Sequence, residues 1–190
     1  MIRTALKFLQ NELDSYIVSR ENDAAYSIGN VVALQSIAFP DGKINLDDTM
    51  HITMMLVSLE EELLLNKRPY FTVLNDQEKI RLNPPVEINL SILFVANNTH
   101  YETALRDLSH VISFFQSHVV FQGNTYPGLN DEVTDPAKKP WQTIEKLVLN
   151  IRNLTLEQQN NLWGMLGPKY LPSIVYSVRM LTVFDPNALS

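Results

Sequence analysis

The sequence predicts an α/β domain of the α+β kind, with one mixed, mostly antiparallel sheet flanked by helices. Three observations predict it. Apolar residues recur at helical spacing from Ile2 to Ile17 and again after Thr99, they alternate at period two from Val86 to Phe94, and helical and extended segments interleave along one chain. A length of 190 residues, about a third of them Leu, Ile, Val or Phe, suits a single domain over residues 1–190 with one core.

The first element is a helix because Ile2, Ala5, Leu6, Leu9, Leu13, Tyr16 and Ile17 fall three or four apart with charged residues between them. It stops in the polar run from Ser19 to Asp23. A strand is expected between Ile28 and Ile37, followed by a hairpin turn at Phe39-Pro40-Asp41-Gly42-Lys43-Ile44, where Pro fixes φ and Gly frees it. His51 to Leu59 reads as a central strand, with Ile52, Met54 and Leu56 on one face and Met55, Val57 and Leu59 on the other. It runs into Glu60-Glu61-Glu62. After Pro84-Pro85, Val86, Ile88, Leu90, Ile92 and Phe94 alternate with Glu87, Asn89, Ser91 and Leu93, which predicts one core face and one partly wet face.

Thr99-His100-Tyr101-Glu102 fits a capping box opening a helix whose inner stripe is Ala104, Leu105, Leu108, Val111, Ile112 and Phe115. This helix should end near Gln116 to His118, before an extended Val119-Val120-Phe121. Residues 122–141 are rich in Gly, Asn, Asp and Pro, and a loop of that length in a compact domain is expected to do something. Strand residues return at Leu147, Val148, Leu149 and Ile151. A second capping box, Thr155-Leu156-Glu157-Gln158, opens a short helix packed through Leu162, Trp163 and Leu166 and closed by Gly167-Pro168. The final strand is expected from Ile174 to Phe184. The triplets Asn97-Asn98-Thr99 and Asn153-Leu154-Thr155 would accept glycans only in a secretory pathway, and each Thr is read as a helix cap instead.

Composition excludes several functions. With 15 Lys+Arg against 21 Asp+Glu the net charge is -6 and no segment concentrates the positive residues, so nucleic acid is not an expected partner. The chain has no cysteine, which removes disulfide scaffolds, Cys-ligated metals and thiol nucleophiles. Charges interrupt the apolar N-terminus, so no signal peptide is expected, and no apolar run reaches the roughly 18 residues of a membrane span. The expectation is a soluble protein made in the cytosol with no membrane partner.

Six scattered glycines leave no P-loop, dinucleotide turn or nucleophile elbow. His51, His100, His110 and His118 contain no i,i+4 pair and no acidic partner at ligand spacing, so neither a metal nor a cofactor is expected. Asp41-Gly42-Lys43-Ile44 fails as the centre of a calcium loop, because Ile37 and Phe39 would stand where oxygen ligands belong. Glu60, Glu61 and Glu62 read as a paired-carboxylate acid/base site, a solvated acidic rim or an electrostatic contact with a basic partner, and because only Glu60 and Glu62 share a strand face the rim is the favoured reading. Arg152 and Arg179 lie in apolar strand sequence, where a charge needs a partner: a carboxylate of the same fold, or one across a subunit contact.

Several segments together carry a family likeness. They are Ile2-Arg3-Thr4-Ala5-Leu6-Lys7-Phe8-Leu9-Gln10-Asn11-Glu12-Leu13; Leu56-Val57-Ser58-Leu59-Glu60-Glu61-Glu62; Pro84-Pro85-Val86-Glu87-Ile88-Asn89-Leu90 running into Phe94-Val95-Ala96-Asn97-Asn98; Tyr101-Glu102-Thr103-Ala104-Leu105; Ile112-Ser113-Phe114-Phe115-Gln116; and Asn161-Leu162-Trp163-Gly164-Met165-Leu166-Gly167-Pro168-Lys169-Tyr170-Leu171-Pro172-Ser173. In this order, over nearly the whole chain, the sequence resembles the cap, or tail-terminator, proteins of phage-tail-like contractile injection systems. Some relatives continue past this domain, whereas this sequence stops at Ser190.

The resemblance implies a tail-terminator-like fold and a homohexameric ring on the end of the inner tube away from the baseplate. That ring would halt tube and sheath polymerisation and join sheath to tube, within a particle that is released or membrane-docked. It implies no catalysed reaction. The implied partners are further copies of the chain, the inner tube protein and the sheath protein, whose arm can add to a sheet edge as an extra strand. The loop Gly123 to Pro140, with Tyr126, Leu129 and Trp141, is the candidate for a neighbour or tube contact, against the alternative of an ordinary surface loop. Two other readings are a tube or sheath initiator of the same particle and a small-ligand-binding domain.

Overall fold

The computed structural model describes residues 1–21, 23–39, 41–46, 49–62, 70–74, 78–82, 87–135 and 142–182. The expected Pro84-Pro85 and the end of the last strand at Phe184 lie outside them. Three helices, α1 (Ile2–Arg20), α2 (Tyr101–Ser117) and α3 (Leu156–Leu166), alternate with eight strands. The strands are β1 (Val32–Leu34), β2 (Ile52–Glu61), β3 (Tyr70–Leu74), β4 (Glu78–Leu82), β5 (Glu87–Ala96), β6 (Val120–Gln122), β7 (Ile144–Ile151) and β8 (Ser173–Thr182). Six of them form one sheet in the order β1-β2-β5-β8-β7-β6, while β3 and β4 pair separately as a hairpin that the apolar pattern does not announce. β1 and β2 are parallel and every other neighbouring pair is antiparallel, so the sheet is mixed and mostly antiparallel as the sequence predicts.

The two faces of this sheet are covered differently. Ile88, Leu90, Ile92 and Phe94 of β5 meet Leu9, Leu13 and Ile17 of α1 and Val111, Phe114 and Phe115 of α2 in the main core. On the opposite face Leu93, Val95 and Val175 pack under Trp163 and Leu166 of α3 in a smaller core. Thr155 caps α3 as its sequence requires: its hydroxyl accepts from Gln158 N at 3.2 Å and the Gln158 side chain accepts from Thr155 N at 3.0 Å. Gly167 ends that helix at φ +89, a region where a side chain would be strained.

β2 carries a bulge. Leu56 faces Ile92 on β5, but the next paired residue is Ser58, facing Ser91, so Val57 is an extra residue and the side-chain alternation inverts. Leu59 therefore leaves the Met55 and Val57 face, where strict alternation places it, and stands opposite Leu90. The expected strand between Ile28 and Ile37 shortens to Val32–Leu34. The turn after it is present as an antiparallel bridge, Ala38 to Ile44, with Phe39 N bonded to Lys43 O at 2.8 Å; Pro40 lies outside the described residues.

α2 departs from its sequence reading in two ways. Its N-cap position is His100 rather than Thr99 and makes no side-chain cap bond; the Asn98 side chain accepts from His100 N at 2.9 Å and closes a turn ahead of the helix. Its inner face is also rotated: Ala104, Asp107, Val111, Phe114 and Phe115 are buried, while Leu105 and Ile112 stay 43% and 39% exposed. An aspartate occupies the inward line, and apolar periodicity cannot credit it.

α1 also buries a carboxylate within its apolar stripe. Asp14 Oδ1 accepts from Val31 N at 3.1 Å and Val32 N at 3.0 Å, and its Oδ2 accepts from Gly29 N at 2.7 Å. Gln10 donates to Val32 O at 2.6 Å, so one helix side chain serves each outward backbone group of Val32. Replacing Asp14 by Ala leaves three backbone donors without an acceptor. Asp14→Ala should destabilise the fold by about 3 kcal/mol, read as a lower denaturation midpoint at unchanged slope.

Candidate functional site

Beyond the reach of α3, the second face of the central strands is polar and open. The bulge in β2 places Glu60 opposite Asn89 of β5, and Asn89 stands opposite Arg179 of β8. The next row toward α3 is Ser58, Ser91, Ser177 and Asn150 across β2, β5, β8 and β7. Small polar and charged side chains thus replace an apolar layer over the innermost strands of the sheet.

Four residues singled out in sequence meet on this surface. Arg152, one residue past β7, reaches Glu60 Oε1 at 3.3 Å through Nη1 and donates to Ser91 Oγ. Arg179 holds Glu87 Oε2 through Nη2 at 2.6 Å and Nε at 3.2 Å. Asn89 donates to Glu62 Oε2 at 2.8 Å, so Glu60 and Glu62 share a face as expected. Glu61 faces the other way, opposite Ile88. Both arginines therefore have carboxylate partners within the chain, and both remain at the surface. Between this face and α3 runs a groove of about 280 Å³ that includes Ser58, Glu60, Ser91, Arg152, Leu162 and Met165. On α3 itself Leu156 and Met165 are exposed.

The loop candidates have a different character. Pro127–Asn130 forms a 3-10 turn against α1, and Leu129 is fully buried there. Leu129 consequently serves the core of this chain and presents no surface, a correction to its reading as a contact. Tyr126 is half-buried, with its ring 6.0 Å from Phe8 and 4.8 Å from Phe121. Burial and the nearby Glu12 charge raise its phenol above the usual tyrosine range. Asn130 works as a one-residue strand: its side chain donates to Ile144 O at 2.9 Å and accepts from Ile144 N at 2.8 Å. Trp141 lies outside the described residues.

A polar cluster that sequence reasoning missed lies on the helical face. Tyr26 donates to Asp107 Oδ1 at 2.7 Å and accepts from Arg106 Nη2 at 2.8 Å, and its ring stacks on His51 at 4.1 Å. His51 Nδ1 approaches Asp107 Oδ2 at 3.4 Å. One helical turn on, His110 Nε2 meets Glu21 Oε1 at 2.6 Å, and Arg106 Nε lies 3.6 Å from the same oxygen. His51 and His110 thus each have a single carboxylate partner, and among the described residues no group of three or more His, Asp or Glu is arranged to hold a metal. No described helix is long and apolar enough to cross a membrane.

The fold and its surfaces define a class: an α/β domain with one helix-covered face and one partly open, charge-bearing sheet face. The chain belongs to the family described as the Pvc16 N-terminal domain, which matches residues 4–189. Among solved structures it is similar to the PVC sheath/tube terminator of an extracellular contractile injection system in the extended state. That likeness has a TM-score of 0.59 at 14% identity, covering 100% of this chain and 59% of that one. It is also similar to the anti-feeding prophage cap, a tube-terminating cap, with a TM-score of 0.55 at 15% identity over 98% of this chain and 56% of that one. The chain thus spans less than two thirds of the length of either. No curated protein matches the sequence.

Two outcomes follow from the electrostatics. The Glu60 and Arg152 side chains are 56% and 43% exposed, so Arg152→Ala should cost less than about 1 kcal/mol of stability in denaturant unfolding. Burial raises the Asp107 carboxyl above the ordinary aspartate range, opposed by the Tyr26 hydrogen bond and the His51 charge. The folded chain then binds this proton more tightly than the unfolded one, so the contribution of Asp107 is fully present below about pH 4 and is lost as pH rises. Asp107→Asn keeps an acceptor for Tyr26 and should flatten that downward slope, measured as denaturation midpoint against pH.

Proposed function

We propose that this protein is the structural cap, or tail terminator, of a contractile injection system. It forms a six-membered ring on the baseplate-distal end of the inner tube, ends tube and sheath polymerisation there, and joins the sheath to the tube. It catalyses no reaction. The observation that carries this reading is family membership over residues 4–189, together with a fold likeness over the whole chain to two terminators. The domain is made in the cytosol and works as part of the assembled particle.

The surfaces suit such work. Glu60, Glu62, Arg152 and Arg179 form a mixed-charge display whose exposed pairs can exchange partners at little cost, which favours orientation of a docking subunit over raw affinity. Glu61 and Tyr126 lie on the opposite, main-core side of the sheet and are separate contact candidates, as is Trp141 by its place in the sequence. The β1 edge is closed at Val32 by Gln10 and Asp14. A sheath arm adding a strand would therefore use the β6 side.

Purified protein mixed with growing tubes and sheath should appear by particle imaging as rings at the baseplate-distal end, and tube length should shorten as cap is added. Monomers alone in native mass spectrometry and imaging, with tube and sheath present, would sink the reading. Binding at the baseplate end would make the chain an initiator instead. Arg152→Glu with Glu60 intact should weaken docking of the partner about tenfold or more, since it sets like charges side by side, while the unfolding free energy of the isolated chain changes by less than about 1 kcal/mol.

A further inference from the structure

We infer that the contact between neighbouring copies in the ring is made by Ile28 of one copy entering the groove between the end of α2 and β7 of the next. This rests on the ring reading above and names the contact that closes it.

Ile28 is 76% exposed, and the segment that carries it is tied to buried carboxylates through the Tyr26 side chain before it and the Gly29 backbone after it. Tyr26 is tied to Asp107, and Gly29 donates to Asp14 Oδ2 at 2.7 Å with φ at +85. Single exposed apolar residues are ordinary. A side chain displayed between two such anchor points has less backbone freedom to lose on docking, which lowers the cost of association.

The groove is the matching feature. It has a volume of about 390 Å³ and is lined by Ile112, Phe115, Val119, Leu149, Ile151 and Tyr176, with the amides of Gln116 and Asn150 beside them. Ile112 and Ile151 are 39% and 49% exposed, which leaves apolar surface without cover in the single chain. Its lining contains no charged side chain, whereas Arg152 lines both grooves beside α3. Ser27, Gly29 and Asn30 around Ile28 are uncharged as well. In a chain of net charge -6, copies that meet through charge-free patches avoid the repulsion of an acidic surface against itself.

Position fixes the kind of contact. Ile28 leads into β1 at one edge of the six-stranded sheet. The groove lies at the other edge, where β7 runs on to Ile151 beyond its pairing with β6 at Lys146 to Val148. One copy cannot fill its own groove, and a bound pair still offers a free Ile28 and a free groove. Such head-to-tail contacts build closed rings when the rotation between copies closes.

The absence of cysteine makes the test direct. In the full chain assembled on tubes, Ile28→Cys and Val119→Cys are joined by a short thiol cross-linker. Mixed single variants should give dimers, and the double variant a ladder up to the closed ring. Ile28→Cys paired with Leu156→Cys on α3 should give neither. Ile28→Asp should cut the ring population at least tenfold with thermal unfolding unchanged, because the side chain is exposed. Intact rings that show no Ile28 to Val119 product, or that tolerate Ile28→Asp, overturn this contact and leave the cap reading standing. Wild-type protein that forms no ring on tubes overturns both.

Discussion

One extra residue in β2 decides which way the charged surface of this protein faces. Without Val57 as a bulge, period-two alternation would turn Glu60 and Glu62 onto the face where Ile88 and Leu90 meet the helices. Carboxylates buried there without partners would cost several kcal/mol each, roughly the margin of a small domain. The inversion at Leu56 and Ser58 instead delivers them to the side of the sheet where Arg152 waits for Glu60 and Asn89 for Glu62. Leu59 takes the opposite path and becomes half-exposed at the margin of the main core.

The helices are fixed by a second device, a buried carboxylate on each of α1 and α2. Asp14 and Asp107 both bind the chain between α1 and β1, one through backbone donors and the other through the Tyr26 hydroxyl. The two helices and that connection are therefore joined by polar bonds as well as by the apolar core they share. Closure of the sheet edges follows the same economy of side chains: Gln10 and Asp14 occupy Val32, and the Asn130 amide occupies both backbone groups of Ile144. Each takes an edge site that another chain could otherwise pair with.

These devices set the limits of what could be read from sequence. The α1 stripe, the alternation of β5, and the Thr155 and Gly167 ends of α3 are local patterns, and the structure keeps them. Asp14 and Asp107 fall on helical inner lines, where a lone aspartate reads as an outward residue until a loop up to 81 residues away supplies its donors. The hairpin of β3 and β4 escaped notice because Glu78-Lys79-Ile80-Arg81-Leu82 is largely polar and Asn75-Asp76-Gln77 carries no glycine. Glu60, Arg152 and Arg179 could each be flagged by charge, but their convergence depends on the bulge and on strand register. The burial of Leu129 is not legible in sequence, because a loop rich in Gly, Asn and Pro hides a turn folded tightly against α1.

The position of β8 bears on how the chain reaches this state. β8 follows every other strand in sequence and yet lies between β5 and β7, bonded to both. Arg179 and Glu87, which pair diagonally across the junction of β5 and β8, are 92 residues apart. Until β8 emerges from the ribosome, β5 and β7 each keep an open edge and the main core lacks Tyr176, Val178 and Met180. Non-local pairing of this kind slows folding and leaves nascent chains prone to wrong strand partners. The polar display and the groove beside β7 both need β8 in place, so neither surface exists until synthesis has passed the centre of the sheet.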